Sequence, residues 1–118
     1  MPTTVLIVDD HPSFRASARA VLEAYGFEIA GEAEDGAAAL VAVHELAPDV
    51  VLLDIQLPDM TGFDVCEALE RRNGSAPAVV LVSSRDATDY GALISESRAL
   101  GFVPKAELSG EAVAALVR

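Results

Sequence analysis

Four short apolar runs in the sequence each end in a polar residue that could take part in chemistry. Residues 5–8 lead into Asp9 and Asp10, residues 50–53 into Asp54, residues 79–82 into Ser83, and residues 101–104 into Lys105. Continuous apolar runs are typical of parallel strands buried on both faces, and ligands bind just past the carboxyl ends of such strands. The pattern therefore predicts three carboxylates, a hydroxyl and an ammonium group along one edge of one sheet.

This set of groups favours phosphoryl chemistry at a metal site. Clustered carboxylates repel one another unless a cation joins them, and Mg²⁺ takes oxygen ligands while keeping positions open for phosphate oxygens. Asp54 is the candidate nucleophile, because a carboxylate can attack phosphorus and form an acyl phosphate. Lys105 suits a point-charge contact to phosphate, and Ser83 can donate a hydrogen bond to another phosphate oxygen. Asp9 and Asp10 fit a core poorly, because adjacent buried carboxylates need pairing or a metal.

Helical and strand patterns alternate along the chain, which predicts an α/β sheet with helices on both faces. The first predicted strand is the run that ends at Asp9, and the others span 27–33, 49–54, 78–83 and 102–103. The predicted helices span 11–25, 36–46, 63–72 and 86–100, with a last helix capped by Ser109. We therefore expect five strands and five helices in strict alternation.

Length, composition and charge restrict the classes of protein that fit. A chain of 118 residues with 52% apolar residues predicts one domain, 1–118, with a packed core. No apolar run approaches the ~20 residues that cross a membrane, and no secretory leader is expected. A net charge of −11 makes contact of this domain with nucleic acid or anionic lipid unfavourable. One cysteine, Cys66, excludes an internal disulfide and indicates a reducing, cytoplasmic location.

Taken in order, these residues resemble the receiver domain of bacterial two-component response regulators, over the whole chain. The features that carry the resemblance are the pair Asp9-Asp10, Asp54, the loop Leu57-Pro58 to Gly62, Ser83, and Lys105 with Phe102 three positions before it. The resemblance implies a flavodoxin-like five-stranded parallel sheet of order 2-1-3-4-5. It implies that Asp54 accepts a phosphoryl group from a histidine kinase or phosphotransfer protein, and that the chain is a phosphoacceptor rather than a turnover enzyme.

The resemblance also implies roles for the charged residues. Asp10, Asp54 and the main-chain carbonyl of Gln56 would bind Mg²⁺ directly, with Mn²⁺ as an alternative ion. Asp9 would act mainly through a bound water. Lys105 would contact Asp54 before phosphorylation and the phosphate after it.

A switch is implied as well, with Ser83 as its hydroxyl and Phe102 as its aromatic residue. Phosphate on Asp54 would attract the Ser83 hydroxyl, and Phe102 would turn from exposed to buried. An effector domain or partner protein would read the changed surface. Two departures stand out: Phe102 lacks the hydroxyl of a switch tyrosine, and Pro104 precedes Lys105 where most receivers have proline after the lysine, which predicts an all-trans loop.

Two long side chains flank the expected phosphate position. Gln56 lies two residues past Asp54, and Arg85 lies two residues past Ser83. We hypothesise that both set the phosphate lifetime, and that this lifetime is not among the shortest. His11 is expected to be a loop residue near the site rather than a metal ligand.

Several alternatives stay open at this point. A degenerate receiver that binds partners without phosphorylation is the main alternative function. A phosphatase of the aspartyl-phosphate kind is disfavoured, because it needs a second aspartate two residues after the first, and Gln56 follows Asp54 at that spacing. The apolar last helix indicates a homodimer as one arrangement. The chain is similar both to receivers of the NarL and FixJ type and to stand-alone actinobacterial receivers.

Overall fold

A parallel sheet of five strands forms the centre of the computed structural model, which describes residues 2–72 and 76–117. The strand order is β2-β1-β3-β4-β5, and every neighbouring pair is parallel. The strands are β1 (Thr4–Val8), β2 (Glu28–Ala33), β3 (Val50–Asp54), β4 (Ala78–Ser83) and β5 (Gly101–Pro104). The fold class and strand order predicted from the sequence are confirmed, and the strand ends differ from the predicted ones by only one residue.

Within the part of the chain that the structure describes, four helices connect successive strands, a fifth follows the last strand, and together they cover both faces of this sheet. They are α1 (Pro12–Tyr25), α2 (Gly36–Leu46), α3 (Gly62–Glu70), α4 (Leu93–Glu96) and α5 (Gly110–Val117), with 3-10 turns at Ala87–Asp89 and Lys105–Glu107. Helices α2 and α3 pack on one face, and α1 and α5 pack on the other. Among the residues described, no helix is long and apolar enough to cross a membrane.

Strand β1 shows why the strands read as continuous apolar runs. Leu6 and Val8 belong to the core beneath α2 and α3, whereas Val5 and Ile7 belong to the core beneath α1 and α5. All four side chains are fully buried. Because successive side chains of a strand point to opposite faces, a strand covered on both sides has no polar face until it reaches its end.

Local signals in the sequence set most of the helix ends near the site. Pro12 lies in the first turn of α1, and Gly26 ends that helix in a left-handed conformation with φ 113°. The Asp35 carboxylate caps α2 by accepting a hydrogen bond from the Ala38 N–H. Thr61 and Asp64 form a reciprocal capping box that begins α3. These ends hold the loops that follow β1, β2 and β3 in place.

The predicted helix over 86–100 is wrong. The structure has only a 3-10 turn there, followed by the four residues of α4. Gly91 adopts a left-handed conformation with φ 56°, which interrupts a helix. The Ser97 hydroxyl then donates to the Ile94 carbonyl and accepts from the Ala99 N–H. Short polar side chains that bond to nearby backbone compete with helical hydrogen bonds in this way.

Around Lys105 the backbone follows the expectation from Pro104. Every peptide bond in the described residues is trans, so the predicted all-trans loop is confirmed. Residues Lys105–Glu107 form a 3-10 turn that leads toward α5. Ser109 accepts a hydrogen bond from the Ala112 N–H at 3.0 Å, as expected of a cap.

Candidate functional site

Three polar side chains are buried at one edge of the sheet. Asp9 follows β1, Asp54 ends β3 and Ser83 ends β4, with exposures of 0%, 3% and 1%. Among the residues described, these are the polar or charged ones that are buried. Burial of a charge is costly unless the charge is paired, so the two buried carboxylates, Asp9 and Asp54, need a positively charged partner.

The ammonium group of Lys105 is the resident partner of both carboxylates. Its Nζ lies 2.6 Å from Asp9 Oδ2 and 3.3 Å from Asp54 Oδ2. The Nζ also lies 4.5 Å from the centroid of the Phe14 ring on α1, within range of a cation–π contact. The structure thus places Lys105 beside Asp54 but closer to Asp9, with the Phe14 ring also in contact with the ammonium group.

The charges of the site shift one another. Burial raises the pKa of Asp54; the Gln56 N–H and Lys105 oppose that shift, and the Asp9 carboxylate adds to it. Burial alone would lower the pKa of Lys105, but the two carboxylates outweigh burial and raise it above the usual lysine value. The site therefore holds a firmly charged ammonium group beside a carboxylate whose negative charge is disfavoured.

The same carboxylates fit a divalent cation. Asp9, Asp10, His11 and Asp54 each offer a ligand atom, and these atoms all lie within 4.8 Å of one another. Asp9 Oδ2 is buried, and the contact that it makes is the ion pair with Lys105 Nζ at 2.6 Å. A cluster of carboxylate oxygens is the kind of donor set that Mg²⁺ takes.

Asp10 and His11 lie at the open side of the cluster. The Asp10 side chain is 36% exposed, and the His11 Nδ1 lies 3.2 Å from Asp10 Oδ1 and 3.0 Å from Asp9 Oδ1. The His11 N–H donates to Asp9 Oδ1 at 2.8 Å, and Arg15 donates to the Asp9 main-chain oxygen. These bonds hold Asp9 in place, and they put His11 in the loop beside the site, where we expected it.

The loop after β3 is tied back to the strand. The Gln56 N–H donates to Asp54 Oδ1 at 3.2 Å, and the Gly62 N–H donates to the Ile55 carbonyl at 2.7 Å. Gln56 also pairs with Thr61 across the loop. The Gln56 side chain is exposed, and the role of its main-chain carbonyl as a metal ligand stays a prediction.

The hydroxyl of Ser83 is held by a residue that the sequence did not single out. Ser83 Oγ lies 2.6 Å from Tyr90 Oη and accepts the Arg85 N–H at 3.1 Å. The Tyr90 ring lies between Phe63, with centroids 5.9 Å apart, and Phe102, with centroids 6.2 Å apart. Phe102 is half-buried in this arrangement, and the Arg85 side chain is exposed.

Sequence reasoning missed two residues at the site and one that ties the loop after β3 to the start of α2. Tyr90 was hidden inside the predicted helix over 86–100, and Phe14 lay inside the predicted helix over 11–25 with no role at the site assigned to it. Asp59 is exposed, but it also accepts hydrogen bonds from the Gly36 and Ala37 N–H groups, which lower its pKa, and no signal in the sequence indicated this contact. An acidic residue facing a helix start is a recognisable pairing, although the partner helix here lies 23 residues earlier.

Substituting Gly62 with alanine is predicted to destabilise the fold through the backbone behind Asp54. A Cβ at this position would lie 2.7 Å from the Asp54 carbonyl oxygen and 3.0 Å from Ile55 Cα. Both are backbone atoms that cannot rotate away, so we expect a loss of about 1–3 kcal/mol in the free energy of unfolding, measured in urea.

The matched control for this substitution is Gly101→Ala. There the nearest atoms are the flexible terminal carbons of Leu116, at 2.6 and 2.9 Å. We expect the control to lose less stability. An equal loss in the two variants would contradict the backbone explanation.

Comparisons with known proteins agree with this geometry. The family model of the response regulator receiver domain matches residues 5–117. The chain is 45% identical over 89 residues to the DNA-binding response regulator MtrA of Mycolicibacterium smegmatis, which covers 75% of this chain and 38% of that protein. It is 42% identical over 94 residues to the nitrate/nitrite response regulator protein NarP of Escherichia coli, which covers 79% of this chain and 44% of that protein.

A solved structure shows the same fold at close to full length. The two-component response regulator of the LuxR family from Aurantimonas superposes with a TM-score of 0.87 at 26% identity, covering 99% of this chain and 86% of that one. The chain spans less than half the length of the two curated relatives described above. With the family model matched over almost all of its residues, the chain belongs to the receiver domain family of two-component response regulators.

Proposed function

We propose that this domain accepts a phosphoryl group on Asp54 from the phosphohistidine of a histidine kinase or phosphotransfer protein, in a reaction that requires Mg²⁺. The observation that carries the proposal is the buried Asp54 carboxylate with the Lys105 ammonium group 3.3 Å from its Oδ2. Asp9 and Asp10 lie within the same 4.8 Å cluster. Each domain would take up one phosphoryl group and hold it, as a phosphoacceptor rather than a turnover enzyme.

The chemical step needs the Asp54 carboxylate to be held in position while it keeps its negative charge. An Asp54 carboxylate oxygen attacks phosphorus, the new P–O bond forms, and the P–N bond to the donor imidazole breaks with its electrons left on nitrogen. The Gln56 N–H holds Oδ1 of Asp54 at 3.2 Å, while Lys105 faces Oδ2. Lys105 would balance charge on the incoming phosphoryl oxygens, because its ammonium group already lies at the carboxylate that they approach.

Mg²⁺ would be held by Asp9, Asp10 and Asp54, with the Gln56 main-chain carbonyl as a further ligand. When bound, the ion supplies positive charge that stabilises the phosphoryl oxygens. Asp10 is the more open carboxylate, whereas Lys105 already contacts Asp9 at 2.6 Å. This difference supports direct contact of Asp10 with the metal ion and an indirect role for Asp9. Mn²⁺ would suit the same oxygen donors.

The output of the domain is proposed to be a change in its surface. The Ser83 hydroxyl would turn to the phosphate, and Phe102 would repack, which alters the surface formed by α4, β5 and α5. An effector domain or partner protein in the cytoplasm would read that surface. Two further expectations stay predictions from the sequence: that the domain forms a homodimer through α5, and that it makes no direct contact with nucleic acid.

The direct test is the intact mass of the protein after incubation with acetyl phosphate and Mg²⁺. We expect the gain of one phosphoryl group, and we expect no gain when a chelator removes the metal. Protein that gains no phosphoryl group and binds no beryllofluoride would instead favour the degenerate receiver, an interaction module that works without phosphorylation.

The phosphate lifetime gives a finer prediction for Gln56 and Arg85. Both side chains are exposed next to the site, so we expect Gln56→Ala and Arg85→Ala to open a path for water and speed dephosphorylation. The expected change is up to about tenfold, which corresponds to about 1.4 kcal/mol in the barrier. Loss of the phosphoryl mass with time measures it. Glu45→Ala, an exposed position on α2, is the control, and unchanged rates in both site variants would contradict the hypothesis.

A further inference from the structure

The contact between Ser83 and Tyr90 joins the edge of the sheet to the segment that follows β4. Ser83 Oγ lies 2.6 Å from Tyr90 Oη and also accepts the Arg85 N–H at 3.1 Å. A serine hydroxyl carries one proton and two acceptor lone pairs. The single proton that Ser83 can give to a phosphate oxygen is therefore the same proton that the Tyr90 oxygen can accept.

The Tyr90 ring is well placed to transmit any change at Ser83. It is half-buried, makes an edge contact with Phe63 at 5.9 Å and packs against Phe102 at 6.2 Å. Residues 84–89 and 91–93 on either side of it are exposed. A movement of Tyr90 would thus reach both the Phe102 ring and the surface of this segment.

We propose that the Tyr90 hydroxyl competes with a phosphoryl group on Asp54 for the hydroxyl proton of Ser83. Tyr90 is then a positioning residue that restrains the unphosphorylated state and supplies, from the segment after β4, the hydroxyl that Phe102 lacks. The inference rests on the proposed function, because it needs a phosphoryl group at Asp54 and Ser83 as its hydrogen-bond donor.

The competition has a definite direction. A hydrogen bond to a charged acceptor is roughly twice as strong as one between neutral groups, so phosphate oxygens win the Ser83 proton from Tyr90. The Tyr90 oxygen then no longer accepts the Ser83 proton, which weakens the restraint on the ring and lets it move with the exposed segment. Phosphorylation proceeds against this restraint, so removal of the restraint makes the phosphorylated arrangement easier to reach.

The test uses beryllofluoride with Mg²⁺ as the phosphoryl mimic and measures its binding by ¹⁹F NMR. Tyr90→Phe keeps the ring contacts and removes only the hydroxyl, and we expect it to bind beryllofluoride about two- to tenfold more tightly, the equilibrium scale of one net hydrogen bond. In a Ser83→Ala background the same substitution is expected to have no effect on affinity. This double-mutant cycle separates competition for Ser83 from a purely structural role of Tyr90.

A second readout follows Tyr90 directly. The chain has two tyrosines and no tryptophan, so Tyr25→Phe leaves Tyr90 as the single emitter. We expect beryllofluoride to change the Tyr90 emission, and we expect Ser83→Ala to change it in the same direction without any ligand.

The outcomes distinguish this inference from the function on which it rests. Wild-type protein that binds beryllofluoride, beside a Tyr90→Phe variant with equal or weaker affinity, overturns the competition and leaves the phosphoacceptor function intact. Weaker binding would mean that Tyr90 supports Ser83 rather than competes for it. Wild-type protein that takes up neither beryllofluoride nor a phosphoryl group overturns both.

Discussion

Asp54→Asn is expected to abolish the gain of a phosphoryl group from acetyl phosphate and Mg²⁺. The amide has no anionic oxygen to attack phosphorus. Removal of a nucleophile of this kind costs on the order of 10³-fold or more in rate. Intact mass over a time course measures the loss.

The control for this variant is Asp86→Asn, which changes an exposed carboxylate after β4. We expect the control to gain one phosphoryl group at the wild-type rate. A full phosphoryl gain in Asp54→Asn would show that another residue is the acceptor and would overturn the assignment of Asp54.

Asp54→Asn is also expected to be more stable than the wild type at neutral pH in metal-free buffer. Burial and the Asp9 carboxylate raise the pKa of Asp54, so the folded state holds a proton there more tightly than the unfolded state does. Such a group favours folding below its unfolded pKa, and that contribution is lost as pH rises through the folded pKa. At neutral pH the ionised carboxylate therefore costs stability, and asparagine removes this cost.

We expect the gain in stability to be about 1–2 kcal/mol, the scale of one buried charge relieved of an unfavourable environment. Urea unfolding at a series of pH values measures it. The gain should shrink as pH falls through the raised pKa of Asp54, because the wild-type side chain is then neutral as well. A gain that does not change with pH would contradict the electrostatic explanation.

Lys105→Met is expected to lower both phosphoryl uptake and stability. The ammonium group lies at Asp54 Oδ2 and at the buried Asp9 Oδ2, so its loss removes positive charge from the place where we propose that the phosphoryl group is received. We expect uptake to slow by about 10²–10³-fold. The free energy of unfolding should fall by about 3 kcal/mol in metal-free buffer, because two buried carboxylates lose their partner.

Added Mg²⁺ separates the two effects of this variant. A divalent ion among the carboxylates offsets their repulsion, so it should restore much of the stability without restoring the rate. Lys105→Arg keeps the charge and serves as the control, with stability expected near the wild-type value. A wild-type rate of uptake in Lys105→Met at the Mg²⁺ concentration that restores its stability would show that Lys105 acts only through the fold.

The pH dependence of Lys105 has the opposite sign to that of Asp54. Burial lowers the pKa of Lys105, but the carboxylates outweigh it and raise the pKa above its ordinary value of 10.5. The contribution of the ammonium group to stability is fully present below that ordinary value and is lost as pH rises through the folded pKa. Since Lys105 is the one lysine of the chain, ¹³C-dimethylation gives a single lysine side-chain signal whose titration measures the raised pKa.

Much of the site was predictable because the signals are local. A strand buried on both faces stays apolar until it ends, so Asp54 and Ser83 at strand ends and Lys105 just beyond one could be placed at one edge of the sheet from pattern alone. Helix starts at Pro12 and Asp35 follow equally local rules. The wrong prediction of a helix over 86–100 also has a local cause. The helical spacing of residues there does not take account of the left-handed conformation of Gly91 or of the hydrogen bonds that the Ser97 hydroxyl makes to nearby backbone.

The sequence by itself determined which chemical groups reach the edge of the sheet, and its resemblance to receiver domains implied the order of the strands that carry them. Only the tertiary structure decided how those groups pair. Lys105 contacts Asp9 more closely than Asp54, its ammonium group packs against Phe14, and Ser83 bonds to Tyr90. The physical reason is that burial patterns repeat along the chain, whereas hydrogen bonds and ion pairs depend on distances of a few ångströms between elements brought together by packing.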